Sequence, residues 1–168
     1  MKVKIKLDTD WEIEAEIPEE ELKKLDKPVK KTGYERVKPH NDYYTVSAEG
    51  RVNKDMCDFG FGTACYDVAN YYSDPIVAEN NARADKLMRQ LRRFAVERRE
   101  FTFDWHENDY YEIYWDFHDR NAKIKVNVVS GEKYFGTIAF HSKETAELAV
   151  KEFHDELTWY FTEYKDSL

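Results

Sequence analysis

A chain of 168 residues suits one domain or two very small ones and is long enough to bury a real core. Charged residues make up 36% of it, yet aromatics reach 15%, which excludes a disordered composition; twelve Tyr, ten Phe and four Trp supply the burial that a modest aliphatic content does not. The net charge of −8 argues against a general phosphate-binding role and favours a basic protein partner.

The first predicted element is a β-hairpin. Val3, Ile5 and Leu7 alternate with lysines, Trp11, Ile13, Ala15 and Ile17 alternate with acids, and Asp8-Thr9-Asp10 turns between them. Pro18 ends the hairpin and starts a short acidic helix over Glu19 to Leu25. Asp26 to His40 holds two prolines and a glycine and reads as a linker. Tyr43 to Val52 reads as a second hairpin turned by Ala48-Glu49-Gly50. Asn53 to Ala64, with Gly60 and Gly62, reads as an irregular loop, and Cys65 to Tyr72 as a strand. Ser73 is the expected N-cap of a helix reaching about Arg99, with Asp74 and Pro75 in its first turn. Its apolar positions, Val77, Ala84, Leu87, Met88, Leu91, Phe94 and Ala95, keep helical spacing.

After the acidic, aromatic connector Phe101 to Asp109, Ile113, Trp115 and Phe117 alternate with polar residues. A turn near Asp119-Arg120-Asn121 leads to Ile124, Val126 and Val128, and Tyr134 to Phe140 completes a three-stranded meander. Ser142 then starts a helix to about Tyr164. The same pattern thus occurs twice, beginning at Tyr43-Tyr44 and at Tyr110-Tyr111, with Asn70-Tyr-Tyr-Ser73 aligned on Ala139-Phe-His-Ser142. The expected fold is α+β: an N-terminal β-hairpin-helix (residues 1–40) followed by two antiparallel sheet-plus-helix units (41–100 and 101–168). Sheets this small are marginal alone, so the units share a core or the chain forms a homodimer.

Charge is unevenly placed. Residues 83–100 carry seven Lys/Arg and three Asp/Glu, residues 8–26 nine acids and two lysines, and residues 143–166 seven acids and three lysines. The basic run includes Arg83, Lys86, Arg89, Arg92 and Arg93, a candidate nucleic-acid face; ion pairing with acids elsewhere is the plainer use of it. The acids Asp104, Glu107, Asp109, Asp116 and Asp119, with Trp105, form an acidic stretch. Charge runs are usually solvated faces; the sharper reading is a surface that mimics nucleic-acid phosphates toward a basic protein. Phe59 and Phe61, in the glycine-bearing loop, are candidate aromatic contacts.

Catalytic and metal signatures are weak. The two cysteines, Cys57 and Cys65, lack a second pair at zinc spacing, and the five histidines form no HxxxH or HxH motif. Adjacent His118-Asp119 and His154-Asp155 point apart on regular backbone. Only a cleft bringing His106 and His118 to Cys57 or Cys65 would make an enzyme, so the expectation is no catalytic residue, no metal and no cofactor. No apolar run approaches the roughly 20 residues of a membrane span, Met1 leads straight into a strand pattern with no signal peptide, and two cysteines do not make a disulfide framework; a reducing cytosol is expected.

Three stretches together resemble small accessory proteins of phages and prophages of Gram-positive bacteria. They are Lys2 to Leu22; Tyr43-Tyr-Thr-Val-Ser-Ala-Glu-Gly50-Arg-Val52 with Asn70-Tyr-Tyr-Ser73 and Arg93-Phe-Ala95; and Tyr110 to Tyr114 with Phe135 to Ser142 and Glu156 to Phe161. The resemblance implies a phage gene product in a bacterial cytosol, without catalytic residues. Its expected role is to bind and inhibit or redirect a host protein, such as a CRISPR nuclease or another defence component. The partner surface would then be Asp104, Trp105, Glu107, Asp109, Asp116, Asp119, Phe59 and Phe61. The alternative is a nucleic-acid-binding module on the basic helix.

Overall fold

The computed structural model describes residues 2–6, 12–16, 31–57, 61–98, 109–118, 123–130 and 137–164. It divides into two units, residues 1–31 and 32–168.

The first unit holds an antiparallel hairpin of β1 (Lys2–Lys6) and β2 (Glu12–Glu16). The register sets Lys2, Lys4 and Lys6 directly opposite Glu16, Glu14 and Glu12, and Val3 and Ile5 opposite Ala15 and Ile13. The expected turn at Asp8 to Asp10 and the helix over 19–25 lie outside the described residues.

The second unit contains β3 (Asp42–Val46), β4 (Val52–Met56), α1 (Phe61–Asp67), α2 (Pro75–Glu97), β5 (Tyr110–Asp116), β6 (Lys123–Val129), α3 (Lys143–Glu152) and α4 (His154–Thr162). β3 pairs with β4 and β5 with β6, each antiparallel, so the chain is α+β as expected. The internal repeat is geometric as well as sequential. Tyr44 exchanges both backbone hydrogen bonds with Tyr72 (2.8 and 2.9 Å), and Tyr111 does the same with Phe140 (2.9 Å each). In each copy one antiparallel bridge thus ties the first strand of the hairpin to the residue two before a helix cap.

That bridge shifts the alignment by one residue. The N-cap of α2 is Asp74, whose carboxylate accepts from Ile76 N and Val77 N, with Pro75 at the first helical position. Asp74, not Ser73, is therefore the counterpart of Ser142, whose hydroxyl accepts from Thr145 N to cap α3. The expected final helix is also two helices. α3 ends at Phe153, where the backbone leaves helical geometry, and α4 starts at once with Leu157 N bonded to the Phe153 carbonyl. The break places the Phe153 ring edge-on to Phe94 at 5.6 Å.

Two further expectations are corrected. Asn53 to Ala64 is not all loop, since β4 continues to Met56 and α1 begins at Phe61. Cys65 to Asp67 is helix rather than strand. A helix puts Gly62 and Cys65, three residues apart, on one face, and a Cβ at Gly62 would already stand 3.7 Å from the Tyr43 ring and from Cys57 Sγ. Nor is residues 32–40 a loose linker. Gly33 is buried with φ +89° against Val77, its carbonyl accepts from Ser73 N, and Val37 N donates to Tyr71 Oη.

Two apolar clusters result. The larger joins Leu87, Leu91, Phe94 and Ala95 of α2 to Phe140, Ala146, Ala149 and Leu157, with Tyr111, Ile113, Ile124 and Val126 of β5–β6 packed on it; β3–β4 and β5–β6 are the first and second hairpins of this unit and are so called below. The smaller joins Tyr43, Cys65 and Tyr71, with Val37 and Cys57 beside them; Tyr43 and Tyr71 stack at 4.5 Å and 11°. No helix among the described residues is long and apolar enough to cross a membrane.

Candidate functional site

Of the acidic and aromatic candidates, Asp109, Asp116 and Phe61 lie among the described residues. Asp104, Trp105, Glu107, Asp119 and Phe59 lie outside the described residues. Phe61 is the first residue of α1 rather than part of a loop. Asp109 and Asp116 flank β5 at opposite ends; seven residues of strand rise separate them by about 23 Å. Asp109 accepts a hydrogen bond from Ser130 Oγ (2.6 Å). Asp116 accepts from Lys125 Nζ (2.6 Å), a diagonal cross-strand ion pair, and from His118 N (2.9 Å), which starts the turn. Its charge is therefore balanced locally.

The turn after β5 carries what the alternation concealed. Ile113 and Trp115 face the helices, Trp115 stacking on Phe161 of α4 at 5.8 Å. Phe117 continues that alternation in sequence, but β5 ends at Asp116, and the Phe117 ring is 80% exposed at the hairpin tip beside exposed His118. The one signal available in the sequence was its place beside His118-Asp119-Arg120-Asn121, where turn residues outnumber strand formers.

The basic candidates on α2 separate into two groups. Arg83 serves the fold: its guanidinium makes a bidentate pair with Glu156 (2.8 and 3.2 Å) and lies 4.0 Å over the Trp159 ring, fastening α4 to α2. Tyr164 Oη donates to Asn81 Oδ1 at the same junction. Arg93 pairs with Glu97 one turn on. Lys86, Arg89 and Arg92 are exposed, and among the described residues they make no ion pair. Arg51, on the β3–β4 turn, lines one groove with Lys86.

The described residues that would make an enzyme sit on different elements. His118 is at the tip of the second hairpin, His106 lies outside the described residues, and Cys57 and Cys65 belong to the aromatic cluster of the first. Burial, and then the Asp55 carboxylate, push the Cys65 thiol up from its usual range, which lowers its thiolate fraction. Among the described residues no three His, Cys, Asp or Glu side chains gather as a metal site would need.

The most polar built feature is structural. Glu35 accepts from Thr32 N, Thr32 Oγ1 (2.9 Å), Gly33 N (3.1 Å) and Ser73 Oγ (2.9 Å). The backbone donors, led by Thr32, and the Ser73 hydroxyl hold its carboxyl well below the usual range, at about 2. The clamp fastens the 32–37 strap to the residue preceding the α2 cap.

The chain matches no protein-family model, and no curated protein and no solved structure matches it.

Proposed function

We propose that the chain is a non-enzymatic binding protein that inhibits or redirects another protein. The observation that carries this reading is the bare Phe117 ring at the tip of the second hairpin. A large apolar side chain at the end of a two-stranded arm, with Asp116 and His118 as its chain neighbours, is the composition of an interface anchor with a polar rim. The scaffold behind it is fixed, because the inner face of the same hairpin is packed on α2, α3 and α4. The resemblance to phage accessory proteins supplies the setting: a bacterial cytosol and a host partner with a basic surface, such as a nucleic-acid-handling defence nuclease of the CRISPR type.

The test is capture from a Gram-positive host lysate with tagged wild type and with Phe117→Asp. The reading expects a stoichiometric protein partner on wild type, weakened by salt and reduced at least tenfold by the substitution, the loss typical of an anchor worth more than about 1.4 kcal/mol. Thermal melting of the variant should be unchanged, because Phe117 is 80% exposed. Equal capture by the two proteins would remove the hairpin tip from the interface.

A further inference from the structure

The first hairpin and the middle of α2 enclose a groove of about 480 Å³. Gly50, Val52 and Ala82 line it together with the cationic Arg51 and Lys86. The turn that carries Arg51 is tightly built. Ser47 N donates to the Arg51 carbonyl (2.8 Å), Gly50 N to the Ser47 carbonyl (2.9 Å) and Arg51 N to Ser47 Oγ (3.1 Å), with Gly50 at φ +80°. A Cβ at Gly50 would stand 3.8 Å from Arg89 Nη2, so the turn and the arginine lie side by side.

The helix side follows from the period of α2. Ala82, which lines the groove, is followed at helical spacing by Lys86 and Arg89 on the same side, and the hairpin ends beside Arg89. Lys86, Arg89 and Arg92 are exposed on α2. They advance about 4.5 Å per step along the axis. Arg83 lines the groove as well but is held by Glu156, and Glu79 is the one acid lining it.

We infer that this groove and the exposed cations of α2 beyond it bind the phosphodiester backbone of nucleic acid, through Arg51 and Lys86 in the groove and Arg89 and Arg92 further along the helix. Spaced cations fit a polymer of evenly repeated anions. Among the described residues no aromatic side chain lines the groove, so the contact is sequence-independent. The net charge of −8 does not forbid it, because exposed charges beyond about 10 Å are screened at 0.1 M salt. The surface is separate from the Phe117 tip, and each stands or falls without the other.

The experiment is fluorescence anisotropy with labelled 20-nucleotide single-stranded and duplex DNA, titrated with the full chain at 50 and 200 mM salt. Four phosphate contacts predict a slope of log affinity on log salt of about −3 to −4, a loss of roughly 100-fold between the two conditions. Arg51→Glu/Arg89→Glu should abolish binding with the melting transition intact. Lys143→Glu/Lys151→Glu, the same change in net charge placed on α3, should leave most of it, and so should Phe117→Asp. No binding by wild type at 50 mM salt overturns the inference. So does equal loss in the two double variants, which would mark a bulk charge effect. A wild-type dimer that the groove variant disperses in sedimentation would assign the groove to a second copy of the chain and also overturn it.

Discussion

Glu35 shows how one side chain converts a loop into part of the fold. Its carboxylate is held at about 2, below the ordinary 4.5, by donors that exist only in the folded chain. A depressed folded pKa contributes stability that is fully present above the unfolded value and is lost as pH falls from about 4.5 through about 2. Glu35→Gln should therefore lower the melting temperature at neutral pH and flatten its decline over that acid window; an unchanged acid profile would mean that the clamp contributes nothing. Nothing in the sequence marked Glu35, because its partners Thr32, Gly33 and Ser73 meet only through a left-handed glycine packed on Val77. Phe117 is the opposite case. It was visible as an apolar residue at the right period, and only the end of β5 one residue earlier turns it outward.

At the scale of elements, the first copy of the repeat extends its ladder with a side chain. α1 ends in a Schellman turn: Asn70 N bonds to the Cys65 carbonyl and Ala69 N to the Tyr66 carbonyl, with Ala69 at φ +56°. This presents the Asn70 amide to β3, where its Oδ1 accepts from Val46 N (2.8 Å) and its Nδ2 donates to the Val46 carbonyl (2.9 Å). The amide thereby continues the ladder that the Tyr44–Tyr72 bridge begins. Asn70→Ala should cost about 1–3 kcal/mol by leaving both partly buried backbone groups of Val46 unpaired. Ala69→Gly should gain about 1 kcal/mol by relieving the left-handed alanine. Chemical denaturation measures both; a neutral Asn70→Ala would show that water replaces the amide. The sequence made the hairpin turn at Gly50, the long helix and the Ser142 cap legible, since each rests on local chemistry. The third strand was misread because Tyr71 and Tyr72 look like a strand in themselves, while the partner that completes it is an asparagine side chain.

At the scale of the molecule, α2 is the common element. Its first half lies along the first hairpin, with Ala82 beside Gly50 and Val52, and its second half contributes Leu87, Leu91 and Phe94 to the cluster under the second hairpin. The two copies should accordingly unfold together. Leu87→Ala, at a fully buried site, should cost about 2–5 kcal/mol. Hydrogen exchange should show that loss equally at Tyr44 and Tyr72 and at Tyr111 and Phe140, the amides of the two bridges. Loss confined to Tyr111 and Phe140 would make the copies separate cooperative units. The same scaffold presents two surfaces that its core does not use, an apolar tip and a cationic groove, and neither was fully legible in advance. The tip depends on where a strand stops. The groove depends on Arg51 reaching α2 from a turn more than thirty residues before Arg89.

The binding account rests most directly on the affinity of the captured protein partner for wild type, Phe117→Asp and Arg51→Glu/Arg89→Glu, titrated side by side at one salt concentration. The account predicts at least a tenfold loss for Phe117→Asp alone, with the groove variant close to wild type. Wild-type affinity in Phe117→Asp would contradict it.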